Sequence, residues 1–344
     1  MLSDNDSAAF LKKYWPHIRD RMRLPGLSSF YRASDGTTVS SVRMKRLSKI
    51  LFAFLLAIVL IVNVPGNIPL STQAATLPPL PPASVDVDLH FLKTAHATTL
   101  EAFTMAQGSI FEPFELVHGA LLVSHREDSF LFDTGLGTRI DAQFTADIPA
   151  WLKPLLAYEK GVPVVEQLRI NSELPQPNRI FLSHAHWDHA SAVVDFPELE
   201  IWVTAAEFQY LRTAEPPGVL PSQVSSPDIL WRQYELTETH YAGFTQSFDV
   251  FGDGTAVLVG LAGHTPGAVG LFVNSKDGGR RFFIGDTVWN RDAIRKLRSK
   301  FWISSLIVDS DRDSTNLLVA RLEALLRANP ELKIIPAHDG RAWQ

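Results

Sequence analysis

The segment His184-Ala-His186-Trp-Asp188-His189 places four metal-ligating side chains within six residues, directly after the apolar run Arg179–Ser183. Imidazole and carboxylate are ligands for zinc and other first-row divalent ions. A lone histidine is usually satisfied by an ordinary hydrogen bond. Four such groups in one stretch need partners in one place, and a metal is the partner common to all of them. In extended backbone, residues two apart face the same way. His184 and His186 can therefore share one ion while Asp188 and His189 turn toward another.

Three further candidates each follow an apolar run. His264 stands in Gly-His-Thr-Pro-Gly at 263–267, Asp286 in Gly-Asp-Thr at 285–287, and His338 in Pro-Ala-His-Asp at 336–339. Side chains at the C-terminal ends of strands converge on one edge of a sheet, where α/β folds build their sites. Asp133, in Leu-Phe-Asp-Thr-Gly at 131–135, also ends a strand-like run. It reads either as a turn-former before glycine or as a carboxylate that orients a ligand histidine.

Composition agrees with nitrogen and oxygen ligation. The 344 residues include eleven histidines and no cysteine. That excludes disulfide scaffolds, thiol nucleophiles, iron–sulfur clusters, thiolate zinc sites and thiol-linked lipid anchors together. A formal charge of −5 gives no footprint for a phosphate backbone, so no nucleic-acid partner is expected. His17, His90, His96, His118, His125 and His240 lack comparable company and read as structural or surface residues. Among them, His118 and His240 are candidates for substrate contact.

The elements that must position these groups can be read coarsely. Runs at 85–92, 120–124, 129–132, 179–183, 200–204, 256–261, 269–274, 281–284 and 333–335 read as strands. Leu318, Leu322, Leu325 and Leu326 give Ser314–Ala328 a helical period, with Asp313 or Ser314 as cap and Pro330 as stop. Lys276–Gly279 reads as a hairpin turn. Without strict βαβ alternation, the pattern favours a layered α/β sandwich over a doubly wound sheet. Two long connections, Arg139–Asn178 and Arg212–Gly243, carry Phe144, Trp151, Tyr158, Trp231, Tyr234 and Tyr241. Long connections in a compact domain are commonly lids or substrate-binding segments, although any single aromatic there can simply pack.

The N-terminal fifth has a different character. The apolar run Ile50–Val62 follows Arg43, Lys45, Arg46 and Lys49, and leads to Ser-Thr-Gln-Ala-Ala at 71–75. Basic, apolar, then small residues is the order of a secretory signal, and the run falls short of the roughly 20 residues a membrane span needs. The expected organisation is an N-terminal extension at 1–43, upstream of a start at Met44, then a signal peptide or signal anchor at 44–75. A proline-rich linker at 76–83 and a catalytic domain at 84–344 complete it. This predicts an exported protein, periplasmic or secreted, or else anchored in the inner membrane through residues 50–62.

With HxHxDH, GHTPG, GD and a late histidine in this order, residues 84–344 resemble the metallo-β-lactamase fold superfamily. The resemblance implies a four-layer αββα sandwich. It also implies that one metal takes His184, His186 and His264, the other takes Asp188, His189 and His338, and Asp286 bridges both. Two divalent ions, zinc or alternatively iron, manganese or cobalt, would leave a site of about +1 once Asp188, Asp286 and a bridging hydroxide are counted. Such a site favours a substrate oxygen that becomes anionic.

Departures from the family's branches narrow the expectation. The absence of cysteine excludes the cysteine-ligated lactamases. His186 stands where flavodiiron proteins carry Glu, and only six residues follow His338, too few for a glyoxalase II-like helical domain. What remains resembles the lactonases and exported organophosphate hydrolases, with Trp289 where lactonases commonly place a carbonyl-holding Tyr. The expectation is a dinuclear metal-dependent hydrolase acting on a small molecule with an ester-type bond, lactone or carboxylic ester first and phosphoester next. A metal-bridging hydroxide would attack and the metal or Asp188 would assist proton transfer. Two alternatives are an iron enzyme like the persulfide dioxygenases, using only the first site, and a non-catalytic, metal-binding membrane-attached module.

Overall fold

Alternation along the strands determines the architecture. A computed structural model describes residues 50, 64–72, 77–78, 87–275 and 279–343. Of its two units, Met1–Ala57 and Ile58–Gln344, the second holds the fold. Strands β1 (Val87–Leu100), β2 (Pro113–His125), β3 (Asp128–Phe132), β4 (Glu159–Lys160), β5 (Arg179–Phe181), β6 (Glu200–Thr204) and β7 (Leu230–Tyr234) form one sheet in the order β4-β1-β2-β3-β5-β6-β7. Strands β8 (Ser247–Asp249), β9 (Ala256–Gly260), β10 (Val269–Asn274), β11 (Arg280–Phe283) and β12 (Lys333–Ile335) form the other, in the order β12-β11-β10-β9-β8.

Leu121, Val123, Phe130, Phe132, Leu258, Leu271 and Val273 pack into one cluster shared by both sheets. Their chain neighbours Leu122 and Leu131, or Val257, Val259 and Phe272, belong to two separate clusters. A period of two with both sets apolar means that each sheet is buried on both faces. The helices are α1 (Ile140–Asp147), α2 (Val164–Ile170), α3 (Ala205–Leu211), α4 (Pro221–Val224), α5 (Asp292–Lys296), α6 (Trp302–Val308) and α7 (Arg312–Ala328). Val164 and Leu168 of α2 with Leu211 of α3 cover the larger sheet, while Leu318, Leu322 and Leu325 of α7 cover the smaller. Helix, sheet, sheet, helix is the expected four-layer αββα sandwich.

Helix α7 starts two residues before the expected Ser314. Its cap is Asp311, whose side chain accepts from the Ser314 backbone N–H at 3.0 Å and from the Ser314 hydroxyl. Neither Asp313 nor Ser314 is the cap. Strands β1 and β2 also run past their expected limits, paired from Val87↔His125 to Leu100↔Pro113 with a register shift between Lys93 and Ala95. The two long connections are not bare loops, since the first holds α1, β4 and α2 and the second holds α4 and β7. Strands β10 and β11 pair as the expected hairpin, with residues 276–278 of its turn outside the described ones.

Residues 64–72 form a strap packed against the sandwich. Ile68 is buried in the cluster under α7, its N–H donating to the Leu297 carbonyl at 2.9 Å. The Gly66 carbonyl accepts from the Ser299 N–H at 2.8 Å, and a Cβ at Gly66 would collide with that of Ala106. The extension 1–43, the apolar run beyond Ile50, and most of the segments 44–75 and 76–83 lie outside the described residues. Among those described, no helix is long and apolar enough to cross a membrane.

Candidate metal centre

Strand ends deliver the site. His184, Asp286 and His338 each stand three residues beyond the last residue of β5, β11 and β12, His264 stands four beyond β9, and Asp133 directly follows β3. The larger sheet thus brings Asp133 and the 184–189 loop, and the smaller sheet brings His264, Asp286 and His338. Backbone bonds close the two edges together: Val269 N–H to Ser183 O at 2.8 Å and Val117 N–H to His338 O at 3.1 Å.

All seven expected ligands meet, each buried with at most 8% of its surface exposed. His184 Nε2 and His264 Nε2 lie 3.2 Å apart. His338 Nε2 lies 3.4 Å from His189 Nε2, 3.2 Å from Asp188 Oδ2 and 3.1 Å from Asp286 Oδ1. Asp286 Oδ1 is also 3.2 Å from His189 Nε2, and Asp286 Oδ2 is 3.6 Å from His264 Nε2. Asp286 therefore lies between the two halves of the cluster. Three groupings have ligand atoms mutually within 4.8 Å: His184 with His186 and His264; His184 with His189 and Asp286; and His118 with Asp188 and His338. The first matches the expected set. The third contains His118, which sequence reasoning left outside the ligand set.

The nitrogens that do not face the cluster are each held, which fixes ring orientation. His189 Nδ1 donates to Asp133 Oδ2 at 2.8 Å, and His338 Nδ1 to the Val117 carbonyl at 2.7 Å. His264 Nδ1 donates to Asp309 Oδ1 at 2.8 Å. His184 Nδ1 donates to Ser183 Oγ at 3.0 Å, which itself donates to Asp133 Oδ2 at 2.8 Å. His186 Nε2 reaches the Tyr210 hydroxyl at 3.0 Å, leaving Nδ1 as the nitrogen for the site. Asp133 is both things the sequence suggested. Its φ of 65° makes the turn, and its carboxylate takes the Ser183 N–H at 2.6 Å while orienting His189. A non-glycine residue persists in that backbone region only where its surroundings hold it there.

Several supporting residues carried no sequence signal, because their partners are distant in the chain. Glu207 is buried at the start of α3, accepting from Ala185 N–H at 2.6 Å, Thr265 Oγ1 at 2.7 Å and Gly267 N–H at 3.0 Å. It ties the HxH loop to the GHTPG loop. Burial pushes its carboxyl up to about 7 against these three donors. Lys300 and Asp309 form a buried ion pair at 2.5 Å behind His264. Trp187 gathers both long connections: Phe144 and Tyr158 lie 5.5 and 6.0 Å from its ring, and Gln223 Nε2 donates to its carbonyl at 3.0 Å. Trp289 Nε1 donates to Asp286 Oδ2 at 2.8 Å. His240 is exposed.

The electrostatics are those of a cation site. Burial and neighbouring imidazoles hold His184 and His186 well below the usual histidine range. Burial opposes charge on His338 as well, yet Asp286 and Asp188 outweigh it and raise His338 to about 10. Burial likewise opposes ionisation of Asp188 and Asp286, and the facing histidines hold both far below the carboxylate range. Two observations test the fit to metal. With their Nδ1 protons directed outward, His184 and His264 aim lone pairs at each other across 3.2 Å. Asp286 Oδ1 is buried without a hydrogen-bond partner although three imidazoles surround the carboxylate. Divalent cations resolve both, and the all-nitrogen and oxygen set suits zinc.

The chain is similar to several known proteins. The family model described as Metallo-beta-lactamase superfamily matches residues 115–338. N-acyl homoserine lactonase AttM of Rhizobium radiobacter is 25% identical over 194 residues, covering 55% of this chain and 68% of the relative. Probable metallo-hydrolase Rv2300c of Mycobacterium tuberculosis is 28% identical over 240 residues, covering 65% and 75%. Among solved structures, a single-substitution mutant of AiiA from B. thuringiensis with N-decanoyl-L-homoserine bound at the active site matches with TM-score 0.57 at 16% identity, over 75% of this chain and 94% of that one. At that identity the likeness is one of fold. With the family model spanning most of the sandwich and the full set of strand-end histidines and aspartates assembled inside it, the chain belongs to the metallo-beta-lactamase superfamily and is a metal-dependent hydrolase.

Proposed function

We propose that the protein is a dinuclear hydrolase of ester-type bonds in small molecules, lactones and carboxylic esters first and phosphoesters next. The observation that carries the reading is Asp286, whose Oδ1 lies 3.2 Å from His189 Nε2 and whose Oδ2 lies 3.6 Å from His264 Nε2, with His338 Nε2 at 3.1 Å from both oxygens. His184, His186 and His264 would hold one ion, and Asp188, His189 and His338 the other, with Asp286 common to both. When bound, two divalent ions supply Lewis acidity that activates water and polarises the carbonyl or phosphoryl oxygen. Asp188, buried beside His338, is the carboxylate placed to hold a proton for the leaving oxygen. Trp289 has its N–H engaged by Asp286 and so contributes an apolar wall rather than a hydroxyl for the carbonyl. The lactonase activity named for AttM supports the lactone as first substrate class.

The basic, apolar and small-residue order before the sandwich supports export, to the periplasm or beyond, or an inner-membrane anchor. The test of function joins metal analysis to a panel of lactones, esters and phosphoesters on the full chain. Two divalent ions per chain with turnover are expected for the wild type, and loss of both for Asp286→Ala. A variant that keeps two ions and hydrolyses substrate would overturn the reading, as would one iron per chain with oxygen consumption.

A further inference from the structure

Among the described residues, His118 is the one histidine outside the expected ligand set that falls in a metal-holding grouping with members of that set. It sits on β2 opposite Ala95 of β1, so its backbone belongs to a paired strand rather than a loop. The next residue is Gly119, where a Cβ would lie 2.6 Å from the Leu92 carbonyl and 2.8 Å from the Phe91 ring. This close approach fixes β2 against β1 and with it the origin of the His118 side chain. The ring is 7% exposed, edge-on to His338 with centroids 5.0 Å apart.

His118 Nδ1 lies 3.1 Å from Asp188 Oδ2, and His338 Nε2 lies 3.2 Å from the same oxygen. The two imidazoles are thus placed almost equivalently about one carboxylate oxygen. Donor atoms bound at about 2.1 Å to one ion in tetrahedral directions lie about 3.4 Å apart. The spacings at Asp188 are close to that, as are those between His184 and His264 and between His189 and His338. On the dinuclear reading, Asp188, His189, His338 and the shared Asp286 would already supply four donors, and a fifth protein donor would exceed what zinc normally takes in tetrahedral geometry.

We propose that His118 is a further ligand of the second metal position, making that position a five-donor site suited to an ion of coordination number five or six. The inference rests on the dinuclear reading and deepens it. The two positions then differ in kind: His184, His186 and His264 form an open three-nitrogen site, while the His118–Asp188–His338 side is crowded with protein donors. Iron, manganese or cobalt in higher coordination fits the second position better than tetrahedral zinc.

Cobalt(II) titration of the metal-stripped full chain tests this without reference to activity. Five- or six-coordinate cobalt absorbs weakly in the visible, whereas tetrahedral cobalt absorbs strongly. In the wild type, the second equivalent is expected to add a weak spectrum. In His118→Ala it should bind more than about 100-fold more weakly, beyond the roughly 10- to 100-fold cost of losing an outer hydrogen-bond partner, and give the stronger tetrahedral spectrum once forced to bind. His118→Asn keeps an N–H for Asp188, so recovery of wild-type affinity and spectrum by that variant would show a positioning hydrogen bond and overturn ligation. Two bound equivalents with a spectrum unchanged in His118→Ala would overturn the His118 assignment and leave the dinuclear reading standing. A single equivalent in the wild type would overturn both.

Discussion

At single residues, the clustered histidines and aspartates and the loops that carry them are held by groups outside the short motifs. Glu207 is the clearest case because its three donors favour the carboxylate while burial favours the acid, and burial prevails. Its ordinary value of 4.5 is raised to about 7 in the folded chain. The folded state therefore binds this proton more tightly than the unfolded state does. Its contribution is fully present below about 4.5 and is lost as pH rises through about 7, amounting to about 3 kcal/mol. Stability of the metal-stripped protein against urea, measured between pH 4.5 and 8, should fall with this slope, and Glu207→Gln should flatten it. An unchanged slope in the variant would show that another group carries the titration. That the seven histidines and aspartates converge was readable from the sequence because each sits beside a strand end in a short motif. Glu207, Tyr210, Lys300, Asp309 and His118 were not, since each is an ordinary residue on a helix, loop or strand whose meaning lies in a contact at least nine positions away, most of them more than twenty.

At the level of elements, period-two alternation revealed the strands with two apolar faces, because in a sandwich both faces are buried. It missed the distal halves of β1 and β2, where His96, Thr98, Thr99 and Glu115 interrupt the apolar pattern and the hairpin is held by backbone pairing. It also left the two long connections without elements, since α4, β4 and β7 are short and their residues are mostly polar or exposed. Those connections converge on Trp187, which lies between His186 and Asp188 of the cluster. Trp187→Ala removes a ring that is 7% exposed, and a stability loss of about 3–5 kcal/mol is expected in chemical denaturation. Because the Trp187 ring packs in one buried cluster with Phe144 of the first connection and Leu220 of the second, limited proteolysis of the metal-stripped variant should cut within 139–178 and 212–243 together. Cleavage confined to one would show that the two are held independently.

Across the molecule, the strap at 64–72 links the question of export to the stability of the fold. A cut after the small residues 71–75, where the secretory pattern would place it, would remove a segment that the sandwich uses. Ile68 would leave the cluster beneath α7, and Ser299 would lose the Gly66 carbonyl. Ser299 directly precedes Lys300, whose ammonium lies 3.2 Å from His264 Nδ1, so the loss falls next to the metal centre. Loss of a buried isoleucine side chain alone costs about 2–5 kcal/mol, and each kcal/mol lowers Tm by about 2–4 °C in a domain of this size. A chain starting at residue 76 should therefore melt at least about 5 °C below one starting at residue 64, with Ile68→Ala in the longer chain reproducing much of the difference. With export as proposed, the same packing predicts that the mature chain keeps the strap, either because processing falls before Val64 or because the apolar run stays attached. N-terminal sequencing of the mature protein checks this directly. A mature chain beginning after Ala75 with undiminished Tm would show that the strap is dispensable to the fold.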